Sequence, residues 1–203
     1  MGTAMMGKLD GRRSWLWPTA VAGGAVILLA GLAWFAAPPR LPQPDPNGLS
    51  LPDFFAGKSV SKGTVTTALV FTEAFTAEFD GKQTGDRFRL DEGFAFADGK
   101  RLQRWDLVRT APGLYGGTVA TELKTGDLAP PMPVVGVQTQ NGAVLDYDGY
   151  APGGGGTLLH FRHEMTGCPD GTVANHVIVS KFGIPLATSD VTFAKSRAAL
   201  APY

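Results

Sequence analysis

The chain has a single cysteine, Cys168, so it holds no internal disulfide, and one thiolate cannot build a cysteine-rich zinc site. Histidine is scarce too, at positions 160, 163 and 176 only. Positions three apart on a strand face opposite sides, so His160 and His163 cannot grip one metal together. A one-signed charge is also missing. From Arg40 onward fifteen basic residues stand against seventeen acidic ones, well mixed, and no basic stripe marks a nucleic-acid surface. "GGGG" at 153–156 precedes a strand, not a helix, so it lacks the helix N-terminus with which glycine loops bind phosphate and reads as a flexible turn. Asp146, Asp148 and Glu164 sit on neighbouring expected strands, and exposed charge accounts for them better than a glycosidase pair. No nucleophile and base are assembled, so the sequence points away from an enzyme and to no cofactor or metal.

What is present begins with an uncharged run from Ser14 to Pro39. It supplies the roughly 20 apolar positions a helix rising 1.5 Å per residue needs to cross a bilayer. Lys8, Arg12 and Arg13 precede it with only Asp10 against them, which places the N-terminus in the cytoplasm. A poor cleavage site, with Trp34 or Phe35 three residues before the cut, favours an uncleaved anchor. The expected organisation is a cytoplasmic N-terminus at 1–13, a transmembrane signal-anchor helix at 14–37, a Pro-rich spacer at 38–49 and an exported domain at 50–197. The spacer "PPRLPQPDPNG" cannot continue the helix and favours an extended rod of about 30 Å. The expected location is the inner membrane, single-pass, with the domain in the periplasm.

Beyond the spacer, period-two patterns recur and no long 3.6-period stretch competes. Phe75, Ala77 and Phe79 alternate with Thr76, Glu78 and Asp80. Phe88 and Leu90 oppose Arg87, Arg89 and Asp91, and Gly93 reads as a bulge or bend before the oily side resumes at Phe94 and Phe96. Asp98-Gly99 signals a hairpin. In "HVIVSKFGIPLATSDVTF" (176–193) alternation breaks once at Gly183 and resumes. Eight or nine strands with short turns predict an all-β fold, an antiparallel barrel or a sandwich. A closed barrel of eight strands has room for packed side chains or one small ligand. Residues 122–142 are too proline-rich for a central strand and are expected to form a long loop or flap.

"LDEGFAFADGKRLQRWDL", "GLYGG" and "VIVSKFGIPLATSDVTF" together resemble the bacterial family known as domain of unknown function 3833. The resemblance covers about residues 50–195 and is most specific from Leu90 to Trp105 and from Ser180 to Gly183. It implies an envelope protein with one lipocalin-like up-and-down β-barrel after an export signal, and it implies no activity. The chain departs from the pattern at Ala187-Thr188, where a Gly-Glu pair is more usual, in 122–142, and in having no lipobox cysteine.

The candidate ligand site is Phe94, Arg104, Trp105, Tyr115, Tyr147 and Lys181. The aromatic rings would line a pocket in which Arg104 or Lys181 meets an acidic headgroup. The plainer readings are a tryptophan plugging the core under a capping arginine, and a solvated lysine before a glycine bend. His163, on a face with Leu159, Phe161 and Met165, reads as a satisfied interior histidine, and His160 as part of a polar row with Arg162 and Glu164. Two functions follow: a membrane-tethered binding module for an apolar or lipid-like molecule, or a non-enzymatic envelope scaffold with a filled barrel. Interior volume separates them, about 300 Å³ or more favouring the binder. No protein partner is named by the sequence.

Overall fold

The computed structural model describes residues 40–200 except Leu69. The expected anchor at 14–37 lies outside the described residues, as does the cytoplasmic N-terminus at 1–13. Among the described residues no helix is long and apolar enough to cross a membrane. A short helix, α1 (Leu51–Phe55), precedes ten strands: β1 (Gly57–Thr67), β2 (Phe71–Thr84), β3 (Arg87–Phe96), β4 (Gly99–Ala111), β5 (Leu114–Thr121), β6 (Met132–Thr139), β7 (Gly142–Gly149), β8 (Leu159–Gly167), β9 (Val173–Lys181) and β10 (Ile184–Ala194).

Each strand pairs antiparallel with its neighbour in the chain, and β1 pairs with β10, so the sheet closes into an up-and-down barrel. Closure satisfies every strand edge. Pro39–Tyr203 is a compact unit in which every strand finds both partners, so the barrel closes on its own residues.

The strand count exceeds the eight or nine expected from the sequence, and the tenth is β6. It lies inside the segment read as a flap, of which 122–131 is irregular and 140–141 form the turn into β7. The prolines misled because Pro133 sits at the start of the strand, before pairing to β7 begins at Val134↔Tyr147, where a missing N–H is tolerated. The bulge expected at Gly93 is absent: β3 runs in unbroken register against β2 and β4. The β9–β10 hairpin turns where alternation breaks. Its two-residue loop is Phe182 (φ +52°) and Gly183 (φ +77°), both positive as a type I′ turn requires.

The two ends differ. At one end α1 lies across the barrel, with Leu51 and Phe55 fully buried. Phe55 meets the rings of Phe79 and Phe193 at 5.4 and 5.2 Å. Pro at the first turn and Ser50 as N-cap start the helix, the Ser50 hydroxyl accepting from Asp53 N–H. Lys195 Nζ donates to the carbonyls of Phe54 and Ala56, and a Cβ on Gly81 would collide with the Phe55 carbonyl. Asp45 N–H donates to the Gln138 carbonyl, and the Gln138 side chain ties back to the carbonyls of Pro46 and Gly48.

The other end carries no helix. Its rim is formed by the β1–β2, β3–β4 and β9–β10 hairpin tips and by the longer connections at 122–131 and 150–158, which are tied together by Gly153 N–H donating to the Glu122 carbonyl and Lys124 N–H to the Gly154 carbonyl. The β1–β2 and β9–β10 tips lie side by side, joined by Ala68 N–H donating to the Leu186 carbonyl at 2.9 Å. They expose Val70, Phe71, Phe182, Ile184 and Leu186.

Candidate functional site

Residues that face one another across the strands point to the same side, so register sets the inner face. It runs Phe88, Leu90, Glu92, Phe94, Phe96 on β3; Arg101, Gln103, Trp105, Leu107 on β4; Leu145, Tyr147 on β7; Leu159, Phe161, His163, Met165 on β8; and Asn175, Val177, Val179 on β9. These side chains do not fill the barrel. They enclose a cavity of about 530 Å³ that reaches from Phe55 to the open rim. On β1 the inward residues are small (Ser59, Ser61, Gly63), which leaves room for the rings of Phe75 and Phe79 on β2.

Half-way down, the apolar wall is interrupted by a contiguous polar cluster. Trp105 Nε1–H donates to Glu92 Oε2 at 3.1 Å. The Trp105 ring stands edge-on to Tyr147 and His163, with centroids 5.3 and 5.7 Å away. His163 Nε2 lies 3.4 Å from the Tyr147 hydroxyl and Nδ1 lies 3.2 Å from Asn175 Nδ2. The Asn175 amide donates to Nδ1, which leaves the imidazole proton on Nε2 for Tyr147. The Tyr147 hydroxyl is also hydrogen-bonded to Gln103, whose Nε2 donates to Thr121 Oγ1 at 2.8 Å.

Burial keeps this cluster uncharged. Removal from water pushes the Glu92 carboxyl up from its ordinary 4.5 to about 8, the Trp105 hydrogen bond opposing only part of the shift. Burial pulls His163 down from 6.5 to about 4. Tyr147 is raised, by burial first and then by Glu92. At neutral pH the cluster therefore offers hydrogen bonds and no net charge. Asn175 Oδ1, on a residue only 3% exposed, has no hydrogen-bond partner. Among the lining residues Arg101 is the only Arg or Lys. It lies at the rim, held by Asp98 at 2.9 Å and by the Lys100 carbonyl at 2.8 Å, and it packs against Gly153.

Of the six candidate residues, Phe94, Trp105 and Tyr147 line the cavity. The other three do not. Arg104 alternates outward from Trp105 and makes a two-pronged pair with Asp91 on the outer face, Nε donating to Oδ1 at 2.6 Å. Tyr115 is buried among the contacts that close the plugged end, its hydroxyl donating to Gln138 Oε1 at 2.8 Å. Lys181 ends β9 on the hairpin tip, with Nζ 5.4 Å from the centre of the Phe182 ring. His163 is the satisfied interior histidine expected.

The sequence reading missed Glu92, Gln103 and Asn175. Glu92 was visible as the one carboxylate in the inward series Phe88, Leu90, Phe94, Phe96, and the supposed bulge at Gly93 hid it. Gln103 and Asn175 carry the same signal more weakly, each one polar residue at an inward position of its strand.

The outer face of β7 and β8 carries a different cluster. Arg162, itself buried, bridges Glu164 at 2.7 Å and Asp146 at 3.3 Å, while His160 sits between Asp146 and Asp148. Asp146 and Glu164 are thus tied to the Arg162 guanidinium, and Asp148 to the His160 ring, on the outside of the barrel. Among the described residues no group of His, Cys, Asp and Glu is arranged to hold a metal ion.

The chain belongs to the family described as "Protein of unknown function (DUF3833)", whose model matches residues 37–195. No curated protein matches it significantly. Solved structures to which the chain shows a distant likeness include the S-type phycobiliprotein lyase CPES from Guillardia theta. That protein is 12% identical, with 73% of this chain and 94% of that one covered, at a TM-score of 0.35. A likeness that distant carries no argument about what this chain binds.

Proposed function

We propose that the protein is a membrane-tethered periplasmic binding module that holds one apolar or lipid-like small molecule inside its barrel. The observation that carries this reading is the cavity. At about 530 Å³ it falls within the range of small-molecule sites and exceeds what a filled core would leave. Its wall is mainly Phe, Leu and Val, with a few convergent polar groups, the usual composition of a ligand pocket. The scaffold alternative needed an interior packed solid with side chains.

The tether and compartment rest on the uncharged run at 14–39 and the basic residues before it. Binding is favoured over catalysis because both ring nitrogens of His163, the histidine in the cavity wall, are engaged by Tyr147 and Asn175, neither of them a nucleophile awaiting a base.

Native mass spectrometry of residues 40–203 purified from cells tests the reading. A co-purified small molecule, released as collision energy rises, is the expected result. Recovery of only the empty domain under gentle ionisation overturns it.

A further inference from the structure

The mouth of the barrel carries apolar side chains that the fold does not bury. Of the ten large apolar residues exposed among the described residues, seven are on this rim: the five on the β1–β2 and β9–β10 tips, with Leu128 and Leu158 on the longer connections. Single exposed apolar residues are ordinary, whereas a contiguous set marks a surface that meets something apolar. Phe182 is the clearest case. Its ring stands in solvent while its backbone is held at φ +52°, in a type I′ turn that Asn, Asp or Gly would fit better. The chain thus accepts backbone strain to present an aromatic ring to water, and such strain collects at functional positions. The hydrogen bond from Ala68 N–H to the Leu186 carbonyl joins the two tips into one platform.

Three observations select what covers it. First, from Thr64 to Thr72 and from Val177 to Ser189 the one charged residue is Lys181, whose Nζ lies 5.4 Å from the centre of the Phe182 ring. An amine beside an exposed ring suits a lipid surface, where the ring sinks among the headgroups and the amine reaches their phosphates. Second, the apolar surface continues over the lip, because Leu186 is exposed on the tip and also lines the cavity, followed inward by Ala187. Third, the uncharged run at 14–39 is long enough to cross a bilayer, so the domain stays beside one. A second copy seated rim to rim would instead close both mouths.

We infer that this rim is a bilayer-docking surface. Phe71, Phe182 and their apolar neighbours enter the headgroup layer, Lys181 meets lipid phosphate, and the ligand passes between bilayer and cavity without crossing water. The inference rests on the binding-module reading for the ligand and adds the surface at which it is loaded.

Sedimentation of residues 40–203 with vesicles of equal parts phosphatidylcholine and phosphatidylglycerol tests it. The domain is expected to sediment with the vesicles, and Phe71→Thr/Phe182→Asn to lower its partition coefficient at least about tenfold. Threonine suits a strand and asparagine suits this turn, so the double variant keeps its fold. Val135→Thr, which trims an exposed apolar residue on the outer wall, should leave partition unchanged. Lys181→Gln should weaken binding several-fold on these vesicles and less on phosphatidylcholine alone.

A domain that stays in the supernatant overturns the inference. So does equal partition of the double variant, an equal loss in Val135→Thr, or a rim-dependent dimer that ignores vesicles. Each of these leaves the binding module standing, because sedimentation reads the docking and native mass spectrometry reads the ligand.

Discussion

The plugged end and the open end of this barrel are made by the same ten strands and share most of their residue types, yet one is solid and the other hollow. The difference lies in what crosses the opening. At the plugged end α1 drives Leu51 and Phe55 into the lumen, where Phe193 stands edge-on to both Phe55 and Phe79 and those two rings tilt against each other. At the open end Phe94 and Phe96 stay on the wall, Phe94 edge-on to Phe75 at 5.7 Å and Phe96 tilted against it at 5.2 Å, and no helix crosses the opening. Stability and ligand capacity are thus separated along one axis. The plug supplies burial, and the mouth gives up burial for access.

The largest effect should come from the plug. Phe55→Ala removes a buried ring with no neighbour free to replace it, and is expected to cost about 3–5 kcal/mol. Its counterpart at the mouth, Phe182→Ala, truncates a ring that is 86% exposed and should stay within about 0.5 kcal/mol of the parent. Urea denaturation of both variants measures the contrast, and similar losses at the two sites would erase it.

The polar cluster lies between the ends, and its protonation gives the next effect. Glu92 has a folded pKa above its unfolded one. Its stabilising contribution is full below pH 4.5 and is lost as pH rises through about 8. His163 has the opposite sense: its contribution is present above pH 6.5 and lost as pH falls through about 4. Between 4.5 and 6.5 the two slopes oppose each other. Above 6.5 only Glu92 titrates, and stability should fall by roughly 2 kcal/mol by pH 8. Glu92→Gln keeps an acceptor for Trp105 and should abolish this alkaline decline. A decline that persists in the variant would assign it to other groups.

How much of this could be read in the sequence depended on which face a residue occupied. Alternation in Phe75–Phe79, Phe88–Phe96 and 176–193 was enough for an all-β antiparallel barrel, and Phe182-Gly183 marked its hairpin. The site was harder, because a closed sheet has two faces and local pattern does not say where along the barrel a residue lies. Trp105 and its neighbour Arg104 seemed one unit, but a period of two sends them to opposite sides of the wall. Tyr115 faces inward like Tyr147, yet β5 places it at the plugged end. Glu92 broke the oily series and was lost because Gly93, next to it, offered a simpler explanation for the break. β6 was hidden by Pro133, the second residue of the strand, which lies opposite Thr118 of β5 but ahead of the first pair with β7 at Val134.

A smaller change tests the hollow end directly. Ala187 lines the cavity near the mouth, where a larger side chain can turn into empty space. Ala187→Phe should therefore cost about 1 kcal/mol or less, below the usual penalty for overfilling a packed core. It should also reduce binding of an apolar probe such as decanol by at least about tenfold, as read from the emission of Trp105, the one tryptophan in residues 40–203, because the ring occupies the ligand's entry. A variant that loses stability heavily instead would mean that this end is packed like the plug.

The smallest effect separates the wall's two faces. Arg104 and Asp91 form a two-pronged ion pair, but their side chains are 35% and 39% exposed, and exposed pairs are worth about 0–1 kcal/mol. Arg104→Ala should shift stability by no more than that, with the shift shrinking as salt is added. Decanol affinity should be unchanged, since the guanidinium points away from the lumen that Trp105, one residue on, faces. Loss of ligand binding in this variant would place Arg104 back among the residues that hold the ligand.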